Sequence, residues 1–138
     1  MAEKYMERYE SFAKSVESLK RARERDLSDE FVLSGTVQKF CLTFDISWKV
    51  MKDLLVHYHG VGDFATGSPR ETLRAAAGVG LIADDRWMTM LKDRNNLSHD
   101  YDGSLAAEKG DVILQVYLPL FEAFGEQAKN TFSRMQSL

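Results

Sequence analysis

Arg94, His99 and Tyr101 fall within one short polar stretch, Asp93-Arg94-Asn95-Asn96-Leu97-Ser98-His99-Asp100-Tyr101-Asp102. A guanidinium can grip a phosphate through two parallel hydrogen bonds and neutralise charge that develops on it. An imidazole titrates near neutral pH, so it can take or give a proton. A phenol is a nucleophile or a modification acceptor. Asn95 and Ser98, lying between them, could orient a substrate or the imidazole. Together these types suit metal-independent phosphodiester chemistry. RNA cleavage of that kind needs a base for the 2′-hydroxyl and an acid for the leaving oxygen. One imidazole per chain is a thin supply, and a symmetric dimer would bring two.

Each residue also has an ordinary structural use. Trp87, Met90 and Leu91 mark one helical face, and the same steps carry it on to Arg94, Ser98 and Tyr101. An arginine on such a face needs a partner, because an unpaired buried charge is costly. Asp45 on another helix could supply it. His99 could cap a helix C-terminus, and Tyr101 could sit at the edge of the core. Arg94 and His99 are also badly spaced for joint action on a continuous helix. Either the helix ends or bends near Ser98, or two chains share residues.

The elements that must position this stretch are helical. Residues 4–25 carry Tyr5, Tyr9, Phe12, Val16 and Leu19 at four-three spacing, an amphipathic stripe. The following Lys20-Arg21-Ala22-Arg23-Glu24-Arg25 reads as a solvated, cation-rich last turn rather than an RNA-facing patch. Ser28 is the expected N-cap of a long helix reaching Tyr58. Its stripe is Leu33, Val37, Phe40, Phe44, Trp48, Met51, Leu55 and Tyr58. Gly35 would allow close helix packing, and Asp45 and Lys49 are spaced for an i,i+4 pair.

His57 and His59 diverge on a helix and lack a third ligand, so no metal is expected. Gly60-Val61-Gly62 is a turn without the lysine of a phosphate loop. Ser68-Pro69-Arg70-Glu71 is a capping box with proline at the first helical position, opening a short helix that ends near Gly78 or Gly80. Leu81 and Ile82 are expected to be buried, and Asp84 or Asp85 to cap the Trp87 helix. Ser104 is expected to cap a last helix with the stripe Ile113, Tyr117, Leu120, Phe124 and Met135, kinked at Pro119. The pattern predicts an all-α protein, an up-and-down four-helix bundle with a short extra helix, as one domain over 1–138.

Composition narrows the rest. The chain has 138 residues and a net charge of −3, which gives no global case for nucleic-acid binding through a basic surface. The single Cys41 excludes an internal disulfide and fits a reducing cytoplasm, where it is expected as a small core residue. The charged, amphipathic N-terminus does not read as a signal peptide, and no apolar run reaches membrane-spanning length. No cofactor is expected.

RNNLSHDY matches the Arg-x4-His-x-Tyr pattern of HEPN-domain proteins. More closely, the chain resembles the nucleotidyltransferase substrate-binding protein family, the HepT-like helical partners of minimal nucleotidyltransferases in HEPN–MNT toxin–antitoxin pairs. TVQKFCLTFDISWKVMKDLL, SPRETLRAAAGVGLI and WMTMLKDRNNLSHDYD carry the resemblance, in the family order. The resemblance implies a homodimeric helical bundle with the paired motifs lining a cleft between chains. It implies that Arg94 and His99 act in RNA cleavage. It further implies that Tyr101 can be adenylylated by a separate nucleotidyltransferase, which silences the toxin. The expected function is thus a partner subunit of a minimal nucleotidyltransferase acting as a metal-independent ribonuclease toxin. The alternative is a non-catalytic subunit that binds a nucleotide or other substrate for a two-component nucleotidyltransferase.

Overall fold

The elements run α1 (Ala2–Lys20), a 3-10 turn (Arg21–Glu24), α2 (Glu30–His57), α3 (Pro69–Gly78), α4 (Arg86–Leu97), α5 (Ser104–Val112), a π-helical segment (Ile113–Tyr117) and α6 (Leu118–Gln136). The computed structural model describes residues 2–61, 67–83 and 85–136, and among these there is no strand. The first and second helices, α4, and the continuous α5–α6 rod are the four members of the bundle. α2 packs against every other helix, α1 also meets α6, and α3 bridges α2 and α4. This is the all-α bundle with one short extra helix that the hydrophobic periodicity predicts.

The stripes form the core. Phe12, Phe40, Phe44, Met51, Leu54, Leu55, Met90, Tyr117 and Phe121 are almost wholly buried. Each large apolar side chain so buried contributes about 1.5–3 kcal/mol relative to exposure. The Trp87 ring on α4 meets Phe121 edge-on at 5.7 Å and Phe124 at 6.0 Å, and lies 6.3 Å from Phe44 on α2. Leu81 and Ile82 are buried between α3 and α4, as expected.

Several helix ends differ from expectation. Asp29, not Ser28, caps α2, accepting from the Phe31 and Val32 backbone N–H groups at 2.8 and 3.3 Å. Ser28 instead donates to Asp26. The acid next in line wins because its carboxylate is the stronger acceptor for the exposed N–H groups of the first turn. Ser68 does cap α3 and also bonds Glu71, with Pro69 at the start of the helix. Asp85 stands at the N-cap of α4 without a side-chain cap bond, and Asp84 lies outside the described residues. Gly62 lies outside them as well.

Two glycine and proline expectations also resolve. Gly35 has open space around it; the close approach is at Gly110, where a Cβ would meet Leu33 Cδ1 at 2.8 Å. Pro119 lacks an N–H and crowds the carbonyl four residues back. The chain accommodates it with the π-helical segment immediately upstream, in which the Leu118 N–H reaches back to the Ile113 carbonyl.

One buried polar pair ties the last helical rod to α4. Asp93 is 5% exposed, accepts a short hydrogen bond from the Tyr117 hydroxyl, and lies 3.4 Å from Lys109 Nζ. Tyr117 stacks on Phe40 at 5.4 Å, so its ring is held while its hydroxyl is spent on the carboxylate. Burial, then the Asp93 bond, push the phenol well above its ordinary value. Replacing Tyr117 with Phe should cost about 1–3 kcal/mol, because a buried carboxylate loses a donor. A urea midpoint equal to wild type would refute this. Because the folded state holds the phenolic proton more tightly, its contribution is whole below pH 10.0 and fades as pH rises beyond that. Wild type should therefore lose stability above that pH more steeply than Tyr117→Phe.

Candidate functional site

α4 stops at Leu97, which is the last buried residue of its apolar face. The backbone then tightens: His99 N–H bonds the Asn96 carbonyl at 3.1 Å and Asp100 N–H the Leu97 carbonyl at 3.3 Å. Ser98 Oγ turns back to the Asn95 carbonyl at 2.7 Å. The expected end near Ser98 is therefore present. Its consequence is that Ser98 and Tyr101 do not continue the buried stripe; both are exposed.

The next helix fixes the far side of the loop. Asp100 accepts from the Leu105 and Ala106 backbone N–H groups at 3.2 and 2.8 Å. A carboxylate at a helix N-terminus satisfies free donors and meets the positive end of the dipole. Asp102 accepts from the Ser104 N–H and hydroxyl at 3.0 and 2.8 Å, bonds that hold its carboxyl below the usual range. Gly103, at φ 75°, supplies the left-handed residue between them. Ser104 is thus a donor to Asp102, and the caps of α5 are the two aspartates.

Held at both ends this way, the loop turns Tyr101 outward. Its side chain is 96% exposed. His99 is exposed too, and makes no side-chain hydrogen bond or ion pair among the described residues. Asn95 is exposed on the last turn of α4.

Arg94 points the other way, to α2. Its Nε and Nη2 donate to Asp45 Oδ1 and Oδ2 at 2.9 and 2.8 Å, the two-pronged pair anticipated for an arginine on this face. The Asp45 bond holds the guanidinium above its ordinary value, against a smaller opposing effect of burial. Both side chains remain about a third exposed, 27% and 34%. Asp45 is thereby engaged across helices, while Lys49 lies over the Trp48 ring at 6.0 Å. Cys41 borders the pair and is half-buried rather than a core residue; burial pushes its thiol up, so it is not an activated nucleophile.

The structure therefore places Arg94, Asn95, Ser98, His99 and Tyr101 at one end of α4 but does not join Arg94 and His99 within one chain. No hydrogen bond or ion pair links the two among the described residues. Asp93 was missed from the sequence: the deeply buried charge of this stretch is Arg94's neighbour. The two histidines weighed as ligands separate as expected. His57 lies tilted against Tyr5 with ring centroids 4.2 Å apart, and His59 packs edge-on to Tyr58 at 4.9 Å.

With that geometry in view, the known proteins can be compared. The family model described as "Nucleotidyltransferase substrate binding protein like" matches residues 7–130. The chain belongs to this family. Among solved structures, HI0074 from Haemophilus influenzae, described as revealing the fold of a substrate binding domain of a nucleotidyltransferase, matches with a TM-score of 0.73. The match covers 88% of this chain and 98% of that one at 24% identity, a likeness of fold. No curated protein sequence gave a match. Among the described residues of this family member, no helix is long and apolar enough to cross a membrane.

Because the Arg94–Asp45 pair is partly exposed, water and salt screen it. A double-mutant cycle with Arg94→Ala and Asp45→Ala should give a coupling of up to about 1 kcal/mol, shrinking with added salt. A coupling of several kcal/mol that ignores salt would contradict this.

Proposed function

We propose that this protein is the helical partner subunit of a separate minimal nucleotidyltransferase, in a HepT-like HEPN toxin–antitoxin pair of the cytoplasm, and that Tyr101 is the side chain the partner modifies. The observation that carries the reading is the 96% exposure of Tyr101 on a loop pinned at both ends by aspartates. A separate enzyme can reach that phenol without unfolding anything. The membership of residues 7–130 in the substrate-binding family supports the pairing. In the transfer, the Tyr101 oxygen bonds to the α-phosphorus of a nucleoside triphosphate. Pyrophosphate leaves, and the phenolic proton passes to a base on the partner or to His99.

Incubation with its cognate minimal nucleotidyltransferase, plus ATP, should add one AMP per chain, located at Tyr101 by mass spectrometry. Tyr101→Phe should take up none. Equal labelling of that variant would sink the assignment.

A second reading, a metal-independent ribonuclease, is favoured by the exposed imidazole of His99 and by Arg94 Nη1, which Asp45 does not engage. It requires a homodimer whose twofold axis brings Arg94 and His99 of two chains to one phosphate, with Asn95 and Ser98 orienting the RNA. In chelator, wild type should cleave RNA and His99→Ala should lose about 10²-fold or more, the usual worth of a general acid or base. Equal rates would remove His99 from the chemistry. A sedimenting monomer without cleavage would leave the non-catalytic, substrate-binding subunit as the reading.

A further inference from the structure

The basic run that follows α1 is not one uniform solvated turn. Arg23 turns to the Leu114 carbonyl at 3.4 Å, whereas Arg21 and Arg25 line a groove of about 310 Å³ between the end of α1 and the start of α2. Phe31, Gly35 and Lys39 line it from α2. We propose that this groove binds single-stranded RNA, with a base stacked on the Phe31 ring and Arg21 and Arg25 on the flanking phosphates. The inference deepens the ribonuclease reading above and rests on it only for why this chain should hold RNA. It uses neither Arg94 nor His99.

Among the described residues no acid lines the groove. The acids flanking the turn are engaged elsewhere or stand clear of it: Asp26 accepts from Ser28, Asp29 caps α2, and Glu24 is exposed outside the lining. Glu3 stands about 22 Å of helix before Ser18 on α1. Val61 and Ala83, which precede Asp63 and Asp84, belong to the other end of the bundle. Val61 bonds the Leu55 carbonyl near the end of α2, and Ala83 shares a cleft with Gln127, about 20 Å along the last helical rod from Leu114. The Arg21 and Arg25 side chains make no hydrogen bond or ion pair among the described residues. Lys39 Nζ donates to Ser18 Oγ at 2.6 Å, a neutral partner that leaves its charge in place. A chain of net charge −3 thus carries a local cationic excess here.

Cations alone would make only an anion patch, and one exposed apolar side chain is ordinary. The placement of the ring adds the second requirement. Phe31 is 79% exposed, so its face is open to solvent beside the arginines. Gly35 and Lys39 follow on successive turns of the same helix. A Cβ at Gly35 would have nothing within 4 Å, so the helix leaves a hollow next to the ring instead of filling it. Open ring, adjacent hollow and cations at its edge are the parts of a stacking platform for single-stranded nucleic acid.

An acidic protein segment would also answer the cations. It would need an enclosed pocket for its apolar anchor, because a hot-spot side chain binds where it is desolvated on all sides. A ring standing out of the surface at 79% exposure encloses nothing, but it offers a flat face that any base can cover. Guanidinium groups match phosphate through paired N–H donors. A duplex keeps its bases stacked on one another and has none to give the ring. Ring and arginines together therefore select a single strand.

Fluorescence anisotropy of the full chain with a labelled ten-nucleotide 2′-O-methyl RNA tests the proposal, since that RNA lacks the free hydroxyl that cleavage needs. The strand should bind saturably. Phe31→Ala should weaken it about tenfold, the usual worth of one stacked base. Arg21→Gln combined with Arg25→Gln should weaken it and flatten the slope of log affinity against log salt by about 1.4. Gly35→Leu fills the hollow while raising helix propensity, so it should lose binding in a chain that melts no lower than wild type. No binding at low salt would overturn the proposal. So would duplex RNA or an acidic peptide binding as tightly as the single strand, or indifference to Phe31→Ala, each of which would mean an anion patch only. Cleavage is read separately through His99. Failure of the groove therefore leaves the ribonuclease reading to its own assay, and an inactive His99 leaves the groove standing.

Discussion

The buried carboxylate of Asp93 sets the geometry of everything near the candidate site. A charge at 5% exposure is tolerable only when its acceptor positions are filled. Tyr117 and Lys109, both on the last helical rod, fill them. That fixes the rotation of α4 about its own axis. With Asp93 turned toward α5 and its continuation, the next residue is carried about 100° round the helix, and Arg94 falls on the side facing α2. There Asp45 meets it. Rotating α4 to free Arg94 would strip Asp93 of both partners.

The same constraint explains why the motif splits. α4 ends once Leu97 is buried, and three residues on, Asp100 is drawn to the N-terminus of α5. Between those anchors the chain has only a short span in which to reverse. His99 and Tyr101 flank the anchored Asp100 and are left on the solvent side. Arg94 stays with the helix, while the imidazole and phenol go with the loop. A constellation contiguous in sequence thus becomes one inward-braced cation and two outward groups. This is why joint action of Arg94 and His99 calls for a second chain, whereas modification of Tyr101 calls for none.

The long helices and their buried faces were legible because apolar periodicity reports burial directly: Phe12, Phe40, Phe44, Met51 and Phe124 all lie where their spacing placed them. The Arg94–Asp45 pair was legible too, because an arginine on an apolar face demands an acid. Helix starts were less so. Ser28 and Ser104 carry the side chains that favour capping, yet Asp29 and Asp100 take the first-turn N–H groups, and single-residue competition of that kind leaves no periodic trace. Asp93 was hidden for a different reason. Its burial depends on a phenol 24 positions away, and Tyr117 reads as one more aromatic of a core stripe until its hydroxyl is seen to bond the acid.

α2 carries this logic along its length. At Asp45 its charge is cancelled by Arg94, so the end of the motif that stays on the helix is close to neutral. One turn further on, Lys49 lies over the Trp48 ring at 6.0 Å, and Asp53 is engaged from α1 by Arg8 at 2.8 Å. A phosphate approaching Arg94 would have to displace a two-pronged carboxylate. Within one chain the guanidinium is therefore spent on Asp45, while the Tyr101 phenol protrudes from its loop. Bracing a cation and presenting a phenol are separate demands, and in this fold they fall on separate elements: Arg94 on α4 and Tyr101 on the loop that follows it.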